Sequence, residues 1–468
     1  MTRSDVEAPA ARRSAAEARR FRIGLAVVAA LGLAIRLAYV LIVKGDQAPR
    51  GDAITYFLQG RQFADGHGFV NAGLLAFRGI SLPVADHPPL FTFFLALLDL
   101  LGVRTFLGAR LGVAIVSIAT IVVVGLVGRR VAGPRAGLLA AAIAAVSPLI
   151  WVNDGQILSE SMMMLVVAGT VLLAYRFWDR PDWRTAALFG AACGVAALVR
   201  GEALLIAPAI AVPLVVGMRQ LPGRRRLALL CIAAIAGAVV FAPWAIRNSL
   251  ALEHPVPFGT DADITLENTN CQSTYYGQLL GWWDQACATT PSLTLDQSQQ
   301  APKQRRRALN FIDDHVSRVP VVALARAGRL WGVYRPIQTV DLMRDEGRER
   351  AVGIAGLLAL YLTVPTALVG AVLLRRRRVP ISPLVAPVIV STLSAMLAFG
   401  NPRYRSSADI VLVVLAAVAV DALCERRGWG ARFGGRRHHV EGAAERSDDP
   451  LPAPGIPADD PAVVEGLH

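Results

Sequence analysis

The sequence predicts an all-α, polytopic integral membrane protein with about ten transmembrane helices and interfacial helices in its first outer loop. Three observations carry this. Of 468 residues, 54% are hydrophobic and mean hydropathy is +0.46. Only 18% are charged, below the roughly one quarter usual in soluble domains. Apolar runs recur along the chain, separated by short arginine clusters. The formal net charge of +13 resides largely in those clusters, where it reads as a topology signal and not as a nucleic-acid groove. No nucleic-acid partner is expected; the bilayer is.

A span needs roughly 20 apolar residues, and cytoplasmic loops carry the Arg and Lys excess. Residues 1–22 are charged and lead into an apolar run too long for a signal-peptide core and without a small-residue cleavage site, so they read as a retained cytoplasmic tail. Span one covers Ile23–Val43 and rises to a polar outer loop, residues 44–107. Within it, Leu90–Gly102 is too short to span, follows Pro88-Pro89, and reads as an interfacial helix. Gly108–Gly128 descends to Arg129 and Arg130, Ala136–Val152 returns outside, and Ser161–Phe177 descends to Arg176 and Arg180. Ala186–Val199 and Ala203–Gly217 form a short pair turning at Arg200 and Glu202, and Leu227–Ile246 leads outside again. These segments make residues 23–246 a transmembrane core.

Residues 247–350 contain no clear span and read as an extracytoplasmic region. Cys271 and Cys287 are the two cysteines that share one polar stretch there, and a disulfide closing that loop would contribute about 3 kcal/mol by restricting the unfolded chain. Residues 351–424 supply the last three spans: Ala351–Leu374, ending at Arg375 to Arg378; Ile381–Phe399; and Ala408–Cys424. Residues 425–468 read as a cytoplasmic tail, Pro- and Asp-rich and largely disordered. The result is a multi-pass cell-membrane protein with both termini cytoplasmic.

Under this topology the polar clusters gather on one outer face: Asp52 with Tyr56, Asp86 with His87, Asp154 with Glu160, Arg200 with Glu202, and Arg403, Tyr404 and Arg405. Acids plus arginines at a membrane surface suit transfer of a group from a lipid-linked phosphate. A carboxylate takes the proton of an attacking hydroxyl, and arginines, or a metal held by carboxylate and imidazole, stabilise the departing phosphate. Each cluster also has a structural reading. Asp52 reads equally as a helix cap, Asp86-His87 as a turn before a proline-led helix, and Glu160 as a partner of a helix dipole. Arg403 and Arg405 read as headgroup anchors, and Arg36, inside span one, as a charge that snorkels or pairs within the bundle.

The stretches GDAITYFLQGRQFADGHG, DHPPLFTFFLALLDLLG, ILSESMMMLVVAG and GNPRYRSS, in this order and spacing, resemble the GT-C glycosyltransferases of the protein O-mannosyltransferase-like group, which includes the aminoarabinose transferases. The resemblance implies the GT-C fold and a polyprenyl-phosphate sugar donor. The acceptor would be a component of the cell envelope (glycolipid, polysaccharide or protein) on the outward face. It implies a catalytic acid at Asp52, a second-loop acid at Glu160, and an acid before a basic residue and Pro-Pro at Asp86. Here His87 replaces the more usual Lys, which favours a divalent metal at Asp86 and His87. Tyr56, His87, Arg200, Arg403, Tyr404 and Arg405 are the expected substrate-binding residues, with Arg403 and Arg405 receiving the lipid phosphate. The rival reading is a transporter or carrier-lipid flippase. Such a protein places its ionisable groups at the bilayer midplane on broken helices of repeated halves, whereas these span interiors are mostly clean. A catalytically inactive membrane scaffold is the third reading.

Overall fold

The computed structural model describes residues 3–426 apart from residue 291, with side chains from residue 15 onward. Most of the expected C-terminal tail lies outside the described residues. Nineteen α-helices and no strand are found among the described residues, with a single isolated bridge between Val70 and Pro83. The helices as far as Leu423 form one compact unit.

The first helix, α1 (Arg3–Ala38), continues into a π-helical turn, Tyr39–Lys44, that ends at Gly45 in a positive-φ conformation. The polar stretch that follows folds into α2 (Asp52–Ala64), α3 (Ala72–Arg78) and α4 (Pro89–Leu100). Proline opens α4 because its missing N–H would have no partner in the first turn. Helix α5 (Phe106–Ala132) packs on α6 (Pro134–Val146) through Gly125, Gly128 and Gly137. A Cβ on Gly137 would stand 2.6 Å from the Gly125 carbonyl oxygen, so small residues set this approach. The path bends by 55° into α7 (Pro148–Trp151), where Pro148 forces Ser147 into an extended conformation.

Helices α8 (Glu160–Asp179), α9 (Trp183–Val199), α10 (Ala203–Gly217) and α11 (Gly223–Ala251) complete the first part of the bundle. Outside it lie α12 (Asp261–Thr269), α13 (Gln272–Tyr275), α14 (Gln297–Asp314), α15 (Val319–Leu330) and α16 (Pro336–Leu342). Last come α17 (Arg350–Arg376), α18 (Ser382–Leu397), a 3-10 turn at Pro402–Arg405, and α19 (Ser406–Arg426). The innermost helix is α19, buried at every residue from Ser406 to Ala419. By contrast α1, α11 and α17 expose Val27, Leu31, Val239, Ile246, Leu358 and Leu362, an apolar surface suited to lipid.

Six helices are long and apolar enough to cross a membrane, and the bent α6–α7 pair makes seven. The three other segments expected to span, α9, α10 and α18, have 17, 15 and 16 residues. They are apolar but shorter than a full span, and α10 carries Pro208 and Pro213 in its interior.

Two ends of the bundle differ in chemistry. At one end Arg130 pairs with Asp179, Arg135 lies 3.4 Å from Asp421, and the Tyr175 hydroxyl donates to the Pro380 carbonyl at 2.8 Å. At the other end, α8 starts at Glu160, α9 ends before Arg200, and α19 follows Arg403. Between these ends Arg36, fully buried, lies 2.9 Å from Asp154, which also accepts a 2.7 Å bond from Ser161. Arg36 thus pairs within the bundle and does not snorkel. Its removal strands a buried carboxylate. Arg36→Leu is expected to lower stability by about 3–5 kcal/mol, and adding Asp154→Leu to recover much of it. Thermal unfolding of the two purified variants in detergent checks this; equal losses in both would contradict it.

Outside the bundle Cys271 and Cys287 are joined by a disulfide. Helices α12 and α14 are tied by Arg305, which bonds both Asp263 oxygens at 2.6 and 2.8 Å. Arg326 donates to the Met396 and Leu397 carbonyls at 3.2 and 3.1 Å, anchoring this region to the end of α18.

Candidate active site

Arg403 is the centre of the polar end. Asn401 caps the 3-10 turn by accepting the Arg403 backbone N–H at 3.0 Å. This sends the guanidinium toward the N-terminus of α8, where Nε donates to Glu160 Oε1 at 2.6 Å. Its Nη1 lies 3.1 Å from Asp52 Oδ2 and 3.2 Å from Glu346 Oε2. Three acids from three distant parts of the sequence therefore meet on one planar cation. Glu160 is fully buried, and Arg200 Nη1 donates to the same oxygen at 3.1 Å. Its other oxygen, Oε2, is enclosed and has no hydrogen-bond partner among the described residues.

The capping reading of Asp52 does not hold. Gly51 is the N-cap of α2, no side chain caps that helix, and the Asp52 carboxylate turns to Arg403 with about half its surface open. Glu160 likewise spends its carboxylate on two arginines and not on its own helix terminus. A buried carboxylate of this kind is tolerated only with such partners.

Asp52 borders a cleft of about 310 Å³, lined also by Asp86, His87, Asp261, Glu346, Arg403 and Tyr404. Tyr56 is buried beneath this surface, its ring 4.4 Å from that of His87, and supports the cleft wall without lining it. Arg200 stacks 4.8 Å from the Tyr404 ring and bonds Glu202 at 2.5 Å. Burial disfavours its charge, but Glu202 and Glu160 hold its pKa above the ordinary value.

Asp86 Oδ1 lies 3.4 Å from His87 Nδ1 and accepts the His87 backbone N–H at 3.0 Å. Desolvation opposes both charges, yet His87 keeps Asp86 below the usual carboxylate range. Asp86, with Asp52 and Asp261, holds His87 up at about 9. Asp261 borders the same cleft and is pushed up to about 6, first by desolvation and then by Asp52 and Asp86, against the pull of His87. The sign for His87 follows. Its folded pKa exceeds the ordinary 6.5, so its contribution to stability is fully present below that value and is lost as pH rises through about 9. Thermal unfolding between pH 6.5 and 9.5 should show this decline in the wild type, and a flatter profile in His87→Gln.

The expected metal site is not supported by its donor set. Among the described residues no group of three or more His, Cys, Asp and Glu side chains is placed to hold a metal ion, and Asp86 and His87 are spent on each other. Arg405 also departs from expectation. It bonds Asp409 at 2.8 Å, donates to the Leu330 carbonyl and stacks over Trp331, so it faces a separate cavity of about 70 Å³.

Three further residues join the site. Glu346 is held by Asn401 Nδ2 at 2.7 Å as well as by Arg403. Arg348 bonds Asn153 Oδ1 at 2.7 Å, while its Nε is enclosed without a partner. Burial pulls the Arg348 pKa down, against the pull of Glu160 and Glu346. Arg348 also lines the smaller cavity beside Leu149, Val352 and Leu360. Asp261 is the third. None of the three lies in a patterned stretch; the only signal was their place in a long polar region of a membrane chain.

A family model described as dolichyl-phosphate-mannose-protein mannosyltransferase matches residues 86–246, a span holding Asp86, His87, Glu160 and Arg200. The oligosaccharyltransferase AglB of Archaeoglobus fulgidus, in complex with an inhibitory peptide and a dolichol-phosphate, superposes with a TM-score of 0.50 at 14% identity, covering 89% of this chain and 52% of that one. The chain shares the fold of this oligosaccharyltransferase. A second structure of the A. fulgidus enzyme, tethered to an acceptor peptide containing the NVT sequon, gives 0.52 at 15% identity, covering 88% and 50%. ArnT of Cupriavidus metallidurans, bound to undecaprenyl phosphate, aligns more loosely: 0.41 at 16% identity, covering 87% and 80%. The chain spans about half the length of AglB. No curated protein matches its sequence.

Proposed function

We propose that this protein is a membrane glycosyltransferase that moves a sugar from a polyprenyl-phosphate carrier to a cell-envelope acceptor. The observation that carries the reading is the Arg403 bridge. It sets the half-open carboxylate of Asp52 on the cleft wall beside a buried guanidinium. In the reaction an acceptor hydroxyl oxygen forms a bond to the anomeric carbon while the carbon–oxygen bond to phosphate breaks, and polyprenyl phosphate departs with the electron pair. Asp52 takes the hydroxyl proton as general base. Arg403 stabilises the charge growing on the phosphate. Glu160 is a positioning residue, fixing Arg403 and Arg200. A single displacement inverts the anomeric centre.

The arginine-rich end supports a cytoplasmic assignment and the cleft end an outward one, because Arg and Lys accumulate on the inner side. Both termini would then be cytoplasmic. The test is direct. Purified protein in proteoliposomes, given labelled polyprenyl-phosphate sugars and extracted envelope acceptors, should consume a donor and label an acceptor. Movement of labelled carrier between leaflets with no sugar transferred would favour the flippase reading instead.

A further inference from the structure

The wall of the cleft away from the charged cluster has a composition of its own. From α12 to α14 its side chains are mainly amides and hydroxyls, among them Thr265, Asn268, Gln285, Thr289 and Gln304. Three aromatic residues that line the same cleft form a continuous strip. Trp283 and Phe399 have ring centroids 6.4 Å apart, and Phe399 and Tyr404 5.0 Å apart, so the strip runs from the loop between Cys271 and Cys287 to the neighbour of Arg403. The strip is fixed at its outer end. Trp283 sits inside the loop closed by Cys271 and Cys287, and that loop is pinned to α12 by the Asp284 N–H, which donates to the Asn268 carbonyl at 3.0 Å. Two polar atoms of this wall are enclosed and without a hydrogen-bond partner among the described residues: the Trp283 indole nitrogen, a donor, and Asn268 Oδ1, an acceptor. Each such group is costly unless something bonds it.

Resting on the reading proposed above, we infer that the acceptor is an uncharged saccharide, with sugar rings stacked along Trp283, Phe399 and Tyr404. A sugar offers apolar C–H faces to aromatic rings and hydroxyls that both donate and accept, which matches an orphan donor and an orphan acceptor on one wall. Asp52, Asp86, Asp261 and Glu346 border the cleft against Arg403 and His87, so the site repels anionic acceptors.

The test measures binding without donor, so its result stands whether or not transfer occurs. Full-length protein in nanodiscs is titrated by calorimetry with neutral manno- and arabino-oligosaccharides, an anionic oligosaccharide and a Ser/Thr-rich peptide. Neutral oligosaccharides should bind, and Trp283→Ala should weaken them by about tenfold or more, the scale of an aromatic anchor. Trp283→Phe, which keeps a ring and removes the N–H, should weaken them less than Trp283→Ala does, with thermal unfolding unchanged. Peptide or anionic binding in preference to neutral saccharide, or saccharide binding indifferent to both variants, overturns the inference.

Discussion

Asp52→Asn is expected to lower the transfer rate by about 10²–10⁴-fold, the range contributed by a positioned general base, with little change in donor affinity. Asparagine keeps the shape and the hydrogen bond to Arg403 Nη1, now 3.1 Å from Oδ2, but cannot accept the hydroxyl proton. Asp52 sits in the first turn of α2 with about half its surface open, so the bundle does not depend on it. A single-turnover assay with labelled donor separates the chemical step from binding. Turnover within a few-fold of wild type would remove Asp52 as the base, and the neighbouring carboxylates that border the cleft, Asp261 and Glu346, would be the next to test by the same substitution.

Much of the bundle is legible in the sequence because membrane spans leave a direct physical record. Apolar length marks the helix, and arginine at the ends marks the side. The record weakens where helices are short. Segments such as α9, α10 and α18, at 15–17 residues, are shorter than the roughly 20 residues of a full span, so apolar length alone does not mark them. The site is legible in part for the same reason. Asp52, Glu160 and Arg403 stand out as charges beside apolar runs, and the fold brings all three together.

Glu346 and Arg348 lie in the long polar region, where a charged residue is unremarkable, and only the tertiary path sets them against Arg403 and Asn153. Arg403 and Arg405 read as a pair in sequence. The 3-10 turn that carries them, Pro402–Arg405, sends one to Glu160 and the other to Asp409. Arginines two residues apart on a tight turn share no face, and no pattern of composition distinguishes them.

Arg403 gives the second large effect, because one side chain holds three acids. Arg403→Lys keeps the charge but not the fork: an ammonium cannot reproduce a guanidinium that offers Nε to Glu160 and Nη1 to both Asp52 and Glu346. Transfer should fall by about 10²-fold or more, the cost of losing one preorganised electrostatic donor, while the protein remains folded. Arg403→Leu should be worse in a different way. It leaves the fully buried Glu160 with Arg200 as its remaining partner, and breaking a buried pair costs about 3–5 kcal/mol of stability. Adding Glu160→Gln removes the stranded charge, so the double variant should regain thermal stability without regaining transfer. Recovery of both would mean that the bridge only holds the helices together. Recovery of stability alone would mean that the guanidinium serves the reaction itself, at the phosphate or by holding Asp52, and not only the fold.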